Sequence, residues 1–384
     1  MDLLSPVLFR DDWGSRVFLA SLQQRPIPSD SPESELWMGA HEVGPAGLTR
    51  HGSRTTLAQV IAADPDTELG EDCRRRFGDR LPFLLKVLAP GRAISIQVHP
   101  SAHQARAERA RSGDAVYGDD WAKPELLLAI SPFEVFVGMR RHAEVAALAN
   151  ALGVPSFSDL VTRSATDPRP EHALLSAILA TPAPNVAELV QEVVAACVRL
   201  ESVGGALGAM AAAVLSVAEG HADDIGMVVL LLMHHRTLAP GEYLDVAAGV
   251  LHSYVRGLGI EVLANSDNVV RAGLTSKPVN VPELLAIVDE HADGIAGAGS
   301  ERAPGVVEYV SASDRFRLTK IVPGRELPAS AGPRIVFCLE GAVSLDDGEH
   351  CLELTDAQAA FIPAATLDVR LQGAGEVYCV LVPQ

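Results

Sequence analysis

In the segment AISIQVHP (93–100), the side chains of an extended strand alternate between two faces. Ile94, Ile96 and Val98 share one face; Ser95, Gln97 and His99 share the other, and Pro100 ends the run. A half-solvated strand gives this pattern, and so does a strand aiming an amide oxygen and an imidazole into a pocket. In AKPELLLAI, Glu125 opens an apolar run. A carboxylate at the mouth of such a strand must be paired or bound to a metal, because a free buried charge is very costly. Lys123 lies on the same face two residues earlier, so a plain Lys–Glu pair also accounts for it. A third segment, PGEYLDVAAGVLHSYVRG, reads as a strand, a turn at Ala248 and Gly249, and a second strand opening at His252, with Tyr254 on the same face. A lone histidine there is ordinarily a hydrogen-bonded core residue. The four side chains Gln97, His99, Glu125 and His252 together make an N/O donor set suited to Zn²⁺, Fe²⁺ or Mn²⁺ in a catalytic setting. None of the five cysteines joins it.

A fourth segment, GIEVLANSDNVVRAGLTSKP, places Glu261 between Ile260 and Val262 in a strand that reads as buried, followed by Ser266, Asp267, Asn268, Arg271 and Lys277. Lys86, inside FLLKVL, poses the same burial problem. The chain has only four lysines, at 86, 123, 277 and 320, and three fall in these segments.

Such groups need strands to carry them. FLLKVL, AISIQVHP, ELLLAI and EVFVGM read as short strands with Pro and Gly breaks. From 141 to 222 the chain turns Ala/Leu-rich with helical spacing. Strand character returns over MVVLLLMHHRTL, a short helix follows at VPELLAIVDEH, and from Val306 a second series of strands begins with VVEYVSAS, FRLTKIVP, RIVFCLEG and AVSLDD and continues to EVYCVLVP. The fold class expected is mainly β with an α insert: two jelly-roll barrels plus a helical domain. The divisions are 1–140 with 223–300, 141–222, and 301–384. With 384 residues and 48% hydrophobic content the chain can bury a large core. A net charge of −18 argues against nucleic-acid or anionic-membrane partners. Scattered cysteines and no signal-peptide pattern fit the cytoplasm. The absence of a GxxxxGK[ST] loop and of a credible GxGxxG turn argues against nucleotide chemistry.

The segments FLLKVLAPGRAISIQVHP, AKPELLLAISPF and LHSYVRGLGIEVLANSDNVVRAGLTSK, with DDWGS and ESELWMGAH near the N-terminus, resemble type I mannose-6-phosphate isomerases, of the cupin superfamily. The resemblance covers the first ~140 residues and about 225–285. It implies a zinc-dependent aldose–ketose isomerase interconverting mannose 6-phosphate and fructose 6-phosphate through an enediolate, with one Zn²⁺ per chain. It places Gln97, His99, Glu125 and His252 as zinc ligands, and Lys123, Glu261, Asp267 and Arg271 in the catalytic pocket. Ser95, Tyr254 and Lys277 take pocket-lining positions. Two departures stand out: Ala122 replaces a His or Asn frequent in the family, and Leu251 replaces a proline. The C-terminal barrel, with only His350, is expected to be metal-free, and the chain a monomer or weak homo-oligomer whose partner is a sugar phosphate. An iron-dependent cupin oxygenase and a non-catalytic sugar-binding cupin are the competing readings.

Overall fold

The computed structural model describes residues 1–383. All six residues of Phe83–Leu88 are buried, as are all five of Glu125–Ala129 and all six of Gly259–Ala264. Continuous apolar runs of this kind belong to a sheet covered on both faces. These three strands form the centre of a seven-stranded antiparallel sheet, whose order is Ile295–Ala298, Glu242–Val246, Glu125–Ala129, Gly259–Ala264, Phe83–Leu88, Glu35–Met38, Val7–Phe9. Opposite it stands a five-stranded antiparallel sheet: Met233–Leu238, Phe133–Met139, His252–Arg256, Ile96–Val98, Val270–Gly273.

Alternation then sorts the side chains. Phe83, Leu85, Val87, Leu126, Leu128, Ile260 and Val262 point to the back of the seven-stranded sheet. There they share a core with Phe316, Leu318, Ile335, Phe337 and Phe361 of the C-terminal sheet. Leu88, Leu127, Val135, Val137, Leu244 and Tyr254 fill the space between the two facing sheets. Cross-strand register puts Glu125 opposite Leu263, and Glu261 opposite Leu127 on one side and Lys86 on the other. Lys86, Glu261 and Glu125 therefore all sit on the inner face. Both sheets are open at their edges, so the expected jelly roll is built as a pair of facing sheets.

The helices His142–Leu152, Pro155–Ser164, Pro170–Leu179, Ala183–Glu201 and Gly205–Ala218 form a bundle. Proline at the first position of the second and third suits a helix start, where no N–H partner is lost. The bundle packs its apolar face on the outer side of the five-stranded sheet, against Ile96, Val98, Phe136, Val255 and Val270. The run Met227–Leu232, read as strand from its sequence, is instead a short helix, Gly226–Val229, continued by one 3-10 turn. An unbroken apolar run carries no period to separate a buried helix from a buried strand.

The C-terminal sheet has nine strands and includes Asp2–Leu3 from the N-terminus, paired with Gln358–Ile362. RIVFCLEG and AVSLDD, read as two strands, are one 13-residue strand, Arg334–Asp346. Its register shifts between Cys338 and Glu340, and just beyond, Gly341 has a φ of +105° that a Cβ would not tolerate, since that atom would fall 2.4 Å from the Ala374 carbonyl oxygen. Among the described residues no single helix is long and apolar enough to cross a membrane.

Candidate metal centre and active-site cleft

Register across the five-stranded sheet lines up Arg271, Gln97, His252 and Val137 as directly opposed residues. His99 follows Gln97 by two residues and so shares its face. The AISIQVHP strand is shorter than its sequence suggests, only Ile96–Val98. Its start is tied instead by irregular bonds: Ile94 N–H donates to the Tyr254 carbonyl at 2.9 Å, and the Ser253 hydroxyl donates to the Ile94 carbonyl at 2.8 Å.

His99 and His252 are both essentially inaccessible to solvent. His99 Nδ1 lies 2.7 Å from the Asn268 carbonyl oxygen, and His252 Nδ1 lies 3.0 Å from that of Val250. A carbonyl only accepts, so each Nδ1 is assigned the proton and each Nε2 presents its lone pair. Both lone pairs face one carboxylate from the opposite sheet: His99 Nε2 is 3.2 Å from Glu125 Oε1, and His252 Nε2 is 3.4 Å from Glu125 Oε2. The three ligand atoms lie within 4.8 Å of one another. His99 Nε2 is buried with no hydrogen-bond partner. Three electron-rich atoms converging in a dry interior repel one another unless a cation joins them. A proton is a poor candidate, because burial outweighs the attraction of Glu125 and pushes the His99 imidazole down to about 4. The set of two imidazole nitrogens and one carboxylate, with room for further ligands, fits a divalent zinc-type ion.

Gln97, directly opposite His252, donates its amide N–H to Ser95 Oγ at 3.1 Å, which leaves its carbonyl oxygen as the ligand-type atom. Burial would raise the Glu125 carboxyl. Lys123, with Nζ at 3.0 Å from Oε1, is the leading charge that offsets burial and holds it well below the usual carboxylate range. The pair joins the buried Glu125 to a partly exposed Lys123. Tyr254 donates its hydroxyl to Glu125 Oε2 at 3.3 Å, its ring set edge-on against Phe133. Burial and the Glu125 charge push that hydroxyl well above its ordinary range. The buried Tyr254 supports a ligand and does not line the cleft, because its hydroxyl is turned inward toward Glu125.

Above this centre a cleft of about 940 Å³ opens, lined by Ser95, Gln97, Lys123, Asp267, Arg271 and Lys277 among others. Glu261 does not reach it. It lies buried behind Lys86, whose Nζ is 3.7 Å from its carboxylate and 3.4 Å from that of Glu35. Burial, with the nearby Glu125 charge, pushes the Glu261 carboxyl up to about 8. Burial opposes the Lys86 charge, yet Glu35 and Glu261 raise its affinity for the proton, and its ammonium stands 4.5 Å over the Trp37 ring. Asp267 is exposed to the cleft and accepts from His41 Nε2 at 3.3 Å, which lowers its carboxyl below the ordinary range. Val43 N–H donates to His41 Nδ1 at 3.2 Å, fixing the tautomer that makes this contact. Arg271 is half-buried, has no carboxylate within 4 Å among the described residues, and burial alone lowers its proton affinity. Lys277 stands exposed at the rim.

Sequence reasoning did not single out Glu35, Trp37 or His41, although all three lie in ESELWMGAH. The spacing of two between Glu35 and Trp37 already places them on one strand face, next to Lys86. The loop 220–224, which closes one side of the cleft, carries no such signal. It is brought there by Asp224, which accepts from Thr275 N–H at 3.0 Å.

Facing jelly-roll sheets with a His–Glu–His set between them define a cupin-type, metal-binding architecture. The phosphomannose isomerase type I catalytic domain matches residues 2–142. The mannose-6-phosphate isomerase of Escherichia coli K12 is 31% identical over 381 residues, 95% of each chain, and that of Mus musculus is 30% identical over 92% of this chain and 85% of its own. A crystal structure of a phosphomannose isomerase variant from Salmonella typhimurium covers all of both chains at 28% identity with a TM-score of 0.90. A mannose 6-phosphate isomerase bound with zinc and yttrium does so with a TM-score of 0.88. The chain belongs to the type I mannose-6-phosphate isomerase family, an enzyme family of aldose–ketose isomerases.

Proposed function

We propose that this chain interconverts mannose 6-phosphate and fructose 6-phosphate through a cis-enediolate, with one zinc ion held by His99, Glu125, His252 and Gln97. The single observation that carries this reading is the meeting of two imidazole lone pairs and one carboxylate inside a buried, cation-demanding site under the cleft. When bound, the zinc supplies positive charge that stabilises the developing enediolate oxygens, worth several kcal/mol.

The remaining work falls to side chains. Isomerisation takes the proton from C2 of the aldose and returns it to C1, so a base must face the cleft in its ionised form. Of the three acid–base candidates, Asp267 and Lys123 line the cleft and Glu261 does not. Asp267, kept ionised by its bond from His41, is the base we assign, and Lys123 holds Glu125 in place. Arg271 offers a guanidinium that no protein carboxylate neutralises, suited to the oxyanion that forms as the proton leaves. Lys277 and the Ser95 hydroxyl at the rim suit the phosphate.

The test is equilibration of mannose 6-phosphate with fructose 6-phosphate. The purified protein should catalyse it, a chelator should abolish it, and zinc should restore it. Failure to turn over the substrate when zinc-loaded overturns the assignment. The same preparation should consume no oxygen, which separates it from a cupin oxygenase.

A further inference from the structure

Asn268 sits in the loop between the strands Gly259–Ala264 and Val270–Gly273, next to the proposed base Asp267, yet it faces away from the cleft and is 1% exposed. Its side-chain amide is crowded with acceptors. Nδ2 donates to the Asp119 carbonyl at 2.9 Å, to the Trp121 carbonyl at 2.9 Å and to Asp119 Oδ1 at 3.2 Å. Ser266 Oγ donates to the same Asp119 carboxylate at 3.1 Å, and Trp121 N–H reaches it at 2.7 Å. The segment 119–121 leads within four residues to Lys123 and Glu125. Trp121 is pinned from the C-terminal sheet side by the Arg315 guanidinium, 3.8 Å from its ring centroid. The main-chain carbonyl of Asn268 accepts from His99 Nδ1–H at 2.7 Å.

One residue thus touches both halves of the metal centre. Its backbone fixes the ring orientation and tautomer of a ligand on the five-stranded sheet. Its side chain holds the stretch that delivers the ligand on the seven-stranded sheet. We propose that Asn268 is a positioning residue for metal binding, setting His99 against Glu125 across the two sheets. This rests on the metal reading given above. Asparagine is the side chain the site requires, since the position needs two donated protons toward carbonyl and carboxylate oxygens. Aspartate, of the same shape, has none to give when ionised. Partners one step removed from a metal are worth about 10–100-fold in metal affinity.

The experiment compares wild type with Asn268→Asp and Asn268→Ala. Zinc affinity is measured by chelator competition, the visible spectrum is recorded with Co²⁺ in place of zinc, and thermal unfolding of the metal-free proteins serves as control. Both variants should lose zinc affinity by about 10–100-fold and show an altered Co²⁺ spectrum. Affinity within threefold of wild type and an unchanged spectrum overturn the proposal, even where the metal-free variant unfolds earlier, because that is the signature of a structural role alone. Should both variants fail to fold, Ser266→Ala removes two bonds of the same network, the one Ser266 Oγ donates to Asp119 Oδ1 and the one it accepts from Asn268 N–H. It should weaken zinc by about two- to tenfold, and no change again overturns the proposal. A wild-type protein that binds neither zinc nor cobalt would instead bring down the underlying metal reading.

Discussion

Replacing Arg271 with methionine takes one guanidinium out of the cleft and keeps an unbranched apolar stem. The structure separates two consequences. Lys123 has Glu125 at 3.0 Å, and Lys86 has Glu35 at 3.4 Å and Glu261 at 3.7 Å. Arg271 has no such partner and is half-buried, so the fold gains nothing from its charge. Stability of Arg271→Met should therefore stay within about 1 kcal/mol of wild type. Turnover should not. A preorganised donor aimed at a developing oxyanion is worth about 10²–10³ in rate, or about 2.7–4 kcal/mol. Because the contact forms as charge develops, kcat and kcat/KM should fall together while KM stays within threefold. Arg271→Lys should recover less than tenfold, since an ammonium offers no planar fork. Initial rates in both directions, zinc content and thermal unfolding read all of this. A raised KM with kcat preserved would refute the oxyanion role and make Arg271 a phosphate clamp. Loss of zinc would refute its independence from the metal centre.

His252→Ala should fold yet release its zinc, leaving less than one tenth of an ion per chain by elemental analysis; full occupancy would remove His252 from the ligand set. Asp267→Asn should reduce kcat by about 10²–10⁴ with zinc retained, and His41→Ala should reproduce a smaller part of that loss; wild-type rates in Asp267→Asn would return the base role to Lys123. Glu261 gives a pH test on the chelator-treated protein. Its folded carboxyl is raised from 4.5 to about 8 by burial and the nearby Glu125 charge, so between those values the folded state holds the proton that the unfolded state has lost. Its contribution to stability therefore falls as pH rises from about 4.5 to about 8. Glu261→Gln should flatten that fall in urea-unfolding curves taken across the window; parallel curves for the two proteins would show that Glu261 titrates normally.

Much of the centre was legible because it breaks rules that are otherwise kept. Glu125, Glu261 and Lys86 stand in runs that are buried on both faces, and a charge in such a run demands a partner. Period two then placed Gln97 with His99, and His252 with Tyr254, on single faces. What the alternation could not show was depth. Tyr254 and Glu261 share the inner face with the ligands but do not line the cleft: the Tyr254 hydroxyl is turned to Glu125, and Glu261 is paired to the buried Lys86. Other features depended on distant parts of the chain. Met227–Leu232 is helical because its neighbours bury it all round. Loop 220–224 reaches the cleft because the bundle packs on the five-stranded sheet and Asp224 holds Thr275. Two expected strands are one because the register shift between Cys338 and Glu340 and the positive φ of Gly341 are absorbed without leaving the ladder.

The most direct test of the metal centre is an anomalous-difference map at the zinc edge from crystals of the active protein. One strong peak is expected about 2.0–2.2 Å from His99 Nε2, His252 Nε2 and a Glu125 oxygen, with the Gln97 carbonyl turned toward it. An active, zinc-containing crystal with no peak between those three residues, or with its zinc bound elsewhere, would contradict that placement of the metal.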